Sequence, residues 1–379
     1  MRRRSPHRPI QVLSRTPVFD GPVLEALGAG VLEHPAGGGG PRRVSRVGRL
    51  LRRSAPPPSE DWRPILDAIS GAAIVVASGG DIFSSDYGGP MRQLRPLRAA
   101  LDAKVPVIFL AQSIGPFRSP KEAQAWTSVA RRSALVTVLE RISYDYVTQR
   151  LGVPAKLVEL TADPAFLLPA AVVDPPMVRA EDHVRTQPLV TVAVSGGISR
   201  FSGVDAQRHL ESLAEAVRTA LDTLGARVVL LAHVQDDAER NDDRVPARAL
   251  YERFERDPRI TVAGDVGAAE LKGLIAGSDM LIAERMHAAI AGLSSGICTV
   301  AIGYSIKAEG IMRAVLGDDV AEPLILSVQR FTEPGVAGRT VSEAWLMRPA
   351  IEARLRQRLP DIQRLAGHNF DLIEELLRR

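Results

Sequence analysis

Met280-Leu281-Ile282-Ala283-Glu284-Arg285-Met286-His287, and then Ile297-Cys298-Thr299-Val300-Ala301-Ile302-Gly303-Tyr304-Ser305-Ile306-Lys307, repeat one pattern within 28 residues. Each is an apolar run of strand length followed by a polar cluster at which a helix begins. Short continuous apolar runs of this kind are the mark of strands buried on both faces of a parallel sheet. Consecutive strands of such a sheet usually neighbour one another, with axes about 5 Å apart. The clusters that follow Ala283 and Ile302 are therefore expected side by side, at the sheet edge where α/β proteins hold their ligands.

The same rhythm extends outward. Leu189 to Val194, Arg227 to Leu231 and Ile260 to Val262 complete a second series of β-α units. An earlier series contains Ala72 to Ala77, Val105 to Ala111, Leu135 to Leu139 and Lys156 to Leu160, with helical segments near 91–103, 119–133 and 143–151. The proline-rich, charged stretch 168–188 interrupts the rhythm. The fold class expected is α/β: two Rossmann-like domains with parallel sheets facing a cleft, closed by C-terminal helices. The segments are 1–60, rich in Arg, Gly and Pro; 61–175, the N-terminal domain; 176–188, a linker; 189–330, the C-terminal domain; and 331–379, helical. Within the last, Leu355 to Leu365 and Phe370 to Leu377 read as amphipathic segments, and Pro360 is expected to break or kink the first.

With 379 residues, 45% of them hydrophobic, the chain can bury two ordinary cores. Its apolar runs are too short to cross a bilayer, and no apolar h-region follows Arg2-Arg3-Arg4, which argues against a secretory signal. The single cysteine, Cys298, sits in an apolar run and has no partner in the chain, so it reads as a small buried hydrophobe. A cytoplasmic location is the expectation. The net charge is only +4, but arginines crowd the first 53 residues. That leader is either poorly ordered or an arm for acidic membrane lipid or nucleic acid. Without interleaved aromatics no nucleic-acid partner is expected, and peripheral membrane contact stays open. So does the oligomeric state. Histidines are scattered, and no metal-binding constellation is expected.

Arg285 and Lys307 supply two cations and His287 a group that titrates near neutrality, a set suited to an anionic substrate and proton transfer. Lysine accounts for only five of the 48 basic residues, which makes Lys307 a marked choice. Helices opening at Met286 and at Lys307 would add free backbone N–H groups. The N-terminal strand ends carry Gly79-Gly80-Asp81, Gln112-Ser113-Ile114-Gly115-Pro116, Glu140-Arg141-Ile142-Ser143 and Ala162-Asp163-Pro164. Glycines there let a ligand approach the backbone, and Asp81 and Gln112 offer hydrogen bonds. Glu284 and Asp81 are candidates to orient His287 or to accept a proton; Glu284 could equally pair with Arg285, and Tyr304 could pack on the sheet. His233, with Asp236 and Asp237 after it, marks another strand end, suited to an acceptor or simply to a solvated loop.

In this order, Gly79-Gly80-Asp81, Gln112-Ser113-Ile114-Gly115-Pro116, Ala162-Asp163-Pro164, Arg285-Met286-His287 and Tyr304-Ser305-Ile306-Lys307 resemble the polysaccharide pyruvyl transferases, across roughly residues 70–315. The resemblance implies a fold like that of GT-B glycosyltransferases. It also implies phosphoenolpyruvate as donor substrate, a saccharide acceptor, a pyruvate ketal as product and no cofactor. The family's Arg-x-His motif, which helps bind phosphoenolpyruvate, falls on Arg285 and His287. His287, Asp81 and Glu284 are then the catalytic candidates; Arg285, Lys307, Tyr304, Gly79, Gly80, Gln112, Ser113 and Arg141 are the substrate-binding ones. Two departures stand out: residues 1–60 lack the Asn-x-Gly-Asp loop with which the family often opens, and Leu139 occupies the usual arginine position, with Arg141 two residues on. The competing expectations are a nucleotide-sugar-dependent glycosyltransferase on the same frame and a repurposed family member in a biosynthetic pathway.

Overall fold

The computed structural model describes residues 8–35, 61–173, 187–235, 239, 242–303 and 306–378. Thirteen strands run in chain order among these residues: β1 (Gln11–Ser14), β2 (Gly30–Glu33), β3 (Val75–Ala77), β4 (Gly80–Phe83), β5 (Val107–Ile114), β6 (Leu135–Val138), β7 (Val158–Leu160), β8 (Leu189–Val194), β9 (Arg227–Ala232), β10 (Ile260–Val262), β11 (Met280–Ala283), β12 (Cys298–Gly303) and β13 (Ile325–Ser327). Every pairing among them is parallel.

The C-terminal sheet has the order β10-β9-β8-β11-β12-β13. Relative to its own first strand this is 3-2-1-4-5-6, the doubly wound order whose ligand crevice lies beyond the carboxyl ends where the order reverses, here between β8 and β11. β8, β11 and almost all of β12 are buried, as their largely apolar runs predict. Met280 pairs with Cys298 and Ala283 with Ala301, so the clusters after β11 and β12 do lie side by side. Cys298 is fully buried, and burial pushes its thiol up to about 12.

The N-terminal sheet follows β3-β5-β6-β7, with β4 continuing the β3 edge along β5. Between β3 and β4 the chain is pressed against a bulge in β5. Ala111 has φ of 50°, and a Cβ on Gly79 would lie 2.7 Å from the Ala111 carbonyl oxygen. Gly79 is thus required by the backbone of its own sheet. One face of this sheet packs a separate core around Phe109, Trp126 and Val136. Its other face, with Ile108, Leu110, Leu135 and Leu139, joins the core of the C-terminal half.

Residues 1–60 depart from the patternless reading where they are described: β1, the helix Pro17–Ala26 and β2 form a small β-α-β unit whose two strands pair only with each other. Four-residue strands are too short to leave a clear apolar period. The arginine runs 2–4 and 42–53 lie outside the described residues, as does most of the linker. Where the chain leaves the N-terminal half, Ala171 donates to the Ala269 carbonyl, and Lys272 donates to the Leu168 carbonyl at 2.7 Å.

A single helix, Val336–Arg378, spans 43 residues and contains both Pro349 and Pro360. Pro360 does not end it. A proline costs one intrahelical hydrogen bond and bends the axis, and packing against both halves outweighs that loss. Val341 and Ala344 sit in the C-terminal core. Further on, Asn369 reaches the N-terminal sheet: its Oδ1 accepts from Thr137 (2.7 Å) and Thr161 (3.0 Å), and its Nδ2 donates to the Ala162 carbonyl at 2.9 Å. Among the described residues no helix is long and apolar enough to cross a membrane.

Candidate active site

A cavity of about 220 Å³ opens at the carboxyl ends of β9, β11 and β12. Its wall includes His233, Glu284, Arg285, His287 and Lys307 from the C-terminal half, and Asp81 from the N-terminal half. Two helices begin there, Met286–Ser294 with Arg285 as its N-cap and Ile306–Leu316. Their first backbone N–H groups and partial positive charge favour an anion.

Arg285 is held by Asp243, which the sequence reading did not single out. The guanidinium makes a two-pronged pair, Nε to Oδ2 at 3.0 Å and Nη2 to Oδ1 at 2.6 Å. The same carboxylate accepts from the backbone N–H groups of Gly196 (2.7 Å) and Val234 (2.8 Å). Asp243 is fully buried and ties together the loops after β8, β9 and β11. Nothing local in Asn241-Asp242-Asp243 marks which aspartate turns inward; the signal exists only once the strands are assembled.

Glu284 lines the cavity but does not orient His287 or pair with Arg285. Its Oε2 accepts from the Ser195 N–H at 2.8 Å, and its Oε1 contacts His209 Nε2 on the helix Ala206–Arg218. Both side chains are buried. Burial pushes the His209 imidazole down, but contact with the carboxylate outweighs it and the net shift is upward. Glu284 is occupied in holding the sheet edge to that helix.

Lys307 is 2% exposed, and its Nζ lies 3.6 Å from Asp163 Oδ2 across the interface between the halves. Asp163 also caps the turn Pro164–Leu167 through the Ala165 N–H. Behind Lys307, Glu140 is buried and hydrogen-bonded to Ser143 and Ser113. A Cβ on Gly310 would come within 2.4 Å of its Cγ, so the missing side chain there lets the Lys307 helix sit against Glu140. Burial pushes the Glu140 carboxyl up to about 7, against the pull of Ser143, Ser113 and Lys307, with Asp81 adding to the rise.

His287 faces the cavity and remains open to its water. The protein crowded around the ring lowers its pKa; Lys307 lowers it further, while Asp163 and Asp81 pull the other way. It is therefore uncharged near neutral pH when no anion is bound. The His233 ring stacks on it, with centroids 6.4 Å apart and planes 20° apart.

Several of the expected ligand contacts on the N-terminal side are otherwise engaged. Gln112 is fully buried and its Nε2 donates to the carbonyls of Ala77, Ser78 and Leu110; Ser113 donates to Glu140. Gly79 approaches β5. Gly80 adopts φ of 118° with open space beside it. Arg141 points to solvent, its side chain 69% exposed and paired with Asp145 one helical turn on. Only Asp81 of that group lines the cavity. Tyr304, Asp236 and Asp237 lie outside the described residues. Among the described residues no group of His, Cys, Asp and Glu is arranged to hold a metal ion.

Fold and cavity together define a protein of two parallel-sheet α/β halves, with a cavity lined by two cations and two imidazoles at the strand ends between them. The family described as Polysaccharide pyruvyl transferase matches residues 38–306. The chain belongs to that family. It is 27% identical over 246 residues to the amylovoran biosynthesis protein AmsJ of Erwinia amylovora, an alignment covering 63% of this chain and 58% of AmsJ. The chain thus spans less than two thirds of that relative. UDP-GlcNAc 2-epimerase from Neisseria meningitidis, solved with UDP-GlcNAc, matches at a TM-score of 0.59 and 11% identity, over 98% of this chain and 92% of that one. Anabaena Alr3699/HepE, solved with UDP and glucose, matches at 0.53 and 14%, over 94% and 86%. At these identities the likeness is one of fold, the GT-B-like pairing of two Rossmann-like domains.

Proposed function

We propose that the protein transfers the pyruvyl group of phosphoenolpyruvate to two hydroxyls of a saccharide, forming a cyclic ketal and releasing phosphate. The observation that carries this reading is the meeting of Arg285, His287 and Lys307 with Asp81 in one cavity. The family description supports a polysaccharide acceptor, and the name of the Erwinia relative points to biosynthesis of a glycan product.

The chemistry sets the requirements. C3 of the enol phosphate must be protonated, and the resulting cation at C2 is attacked by the first hydroxyl. The second hydroxyl then closes the ring as the C2–O bond to phosphate breaks. Of the two hydroxyl protons, one replaces the proton delivered to C3 and the other leaves with phosphate, so no redox partner is needed. Lys307 acts as a point charge for the phosphate, and Arg285, fixed by Asp243, offers its remaining edge to the carboxylate. His287 carries the proton. An anion bound beside it raises the imidazole's proton affinity, so the donor itself prepares the acid that C3 requires. Asp81, from the opposite wall, faces the acceptor side of the cavity as a partner for a sugar hydroxyl.

The test is ligand-induced stabilisation followed by turnover. Phosphoenolpyruvate is expected to raise the melting temperature and, with a competent glycan, to release phosphate. Stabilisation by UDP-sugars with no response to phosphoenolpyruvate would overturn the donor assignment in favour of glycosyl transfer.

A further inference from the structure

We propose that His233 is a second substrate-contacting imidazole, an uncharged Nε2–H donor to the anionic group that Arg285 and Lys307 draw into the cavity. The inference rests on reading that cavity as an anion site. It begins from a hydrogen-bonding imbalance. Nδ1 of His233 is shut off from solvent and has no hydrogen-bond partner among the described residues. His233 is among the residues that line the cavity.

A neutral imidazole carries its proton on one nitrogen or the other. A proton on Nδ1 would be a buried donor without an acceptor, and orphaned N–H groups are the rarer and costlier defect. A bare lone pair at the same place is the milder one. The proton therefore belongs on Nε2, which makes that nitrogen the donor available to an occupant of the cavity that His233 lines. The ring is also kept from taking a second proton: burial first, then His287 and Arg285, lower its pKa to about 4. The His287 ring lies nearly parallel to it, with centroids 6.4 Å apart, so the two imidazoles face the same space.

The loop bearing His233 is secured as well. The Val234 N–H donates to Asp243, the carboxylate that also grips Arg285. One buried aspartate thus sets the position of both a charged and an uncharged donor around the same space. The division of labour is chemical. Arg285 and Lys307 attract charge at a distance, whereas a neutral donor contributes direction without adding a cation that would depress His287 further.

Isosteric substitution and direct reading of the tautomer test this. In ligand-free protein labelled with 15N-histidine, with His233→Ala used to assign the ring, the proton is expected on Nε2; a protonated Nδ1 overturns the proposal. That reading needs no substrate, so it is separate from the donor assignment. In binding titrations with phosphoenolpyruvate, His233→Gln places an amide N–H near the Nε2 position and is expected to stay within about threefold of wild type. His233→Asn, whose amide imitates Nδ1, and His233→Ala are each expected to weaken binding about tenfold or more. Equal affinities for the Gln and Asn variants, or an Ala variant that binds like wild type, overturn the proposal. Inorganic phosphate is titrated in parallel, so that the Gln and Asn contrast is still read if phosphoenolpyruvate fails to bind the wild type. Melting temperatures separate a lost contact from a lost fold.

Discussion

At its strand ends the C-terminal half turns His233, Arg285, His287 and Lys307 to the cavity. At the corresponding ends of the N-terminal sheet, Gln112 and Ser113 turn back on their own half, one to three backbone carbonyls and the other to Glu140. Polar residues at the ends of similar strands thus do different work. The difference follows from the sheets: β11 and β12 run regularly to their ends, whereas β5 bulges at Ala111 and its neighbours must satisfy the backbone groups this exposes. Where a ladder is broken, nearby side chains are spent on repair.

Several substitutions would break or sharpen that contrast. The largest effect is expected from His287→Ala, which should slow phosphate release by about 10²–10⁴-fold, the usual contribution of a positioned acid/base group. A normal rate with a competent acceptor would remove His287 from the chemistry. Next is Glu140→Gln. Glu140 titrates at about 7 in the fold against 4.5 in the unfolded chain. A raised carboxyl pKa means the folded state holds the proton more tightly, so stability is fully present below the unfolded value and falls as pH rises through 7. The Gln variant should therefore match wild type near pH 4 and exceed it at pH 8, by up to about 3 kcal/mol at about 1.4 kcal/mol per pH unit. Urea unfolding at the two pH values checks the sign. Loss of turnover in this variant with stability unchanged at both would place the N-terminal wall in the chemistry.

Lys307→Met should raise the KM for phosphoenolpyruvate about tenfold or more, as expected for a lost charge-assisted contact, with a smaller change in kcat. Gln112→Leu should lower unfolding free energy by about 1–3 kcal/mol, because buried carbonyls lose their donor, and leave that KM unchanged. A raised KM would mean that the N-terminal wall contacts the donor after all. Arg141→Ala should change little, about 0.5 kcal/mol or less in stability, since an exposed pair contributes almost nothing. A loss of donor affinity there would restore the ligand role that its solvent-facing side chain argues against.

The sequence was most readable where burial was most complete. β8 and β11 coincide with their largely apolar runs because a strand covered on both faces favours apolar residues. β4 escaped notice: Gly80-Asp81-Ile82-Phe83 carries two residues that disfavour strands and is held only by pairing with β5. Of the two outcomes expected at Pro360, a break did not occur, since a local rule for helix ends yielded to packing along the whole helix. In the site, Arg285, His287 and Lys307 were legible as rare residue types at strand ends. Asp243 and Glu140 were not, because their importance lies in contacts made 42 and 167 to 170 positions away along the chain, by Arg285, Lys307 and Gly310. Nor could any local pattern show that Glu284 is taken up by His209, 75 positions earlier.

The helix Val336–Arg378 also sets a mechanical condition. Because Asn369 is anchored among Thr137, Thr161 and Ala162 of the first half, the covalent chain passes between the halves twice, once near residue 173 and once along this helix. A body joined at two places cannot swing freely about one hinge. Opening the cleft has to flex both crossings together or release Asn369 from three polar partners. That favours a small bending motion, with the width of the entrance set as much by the stiffness of a distant helix as by any residue at the site.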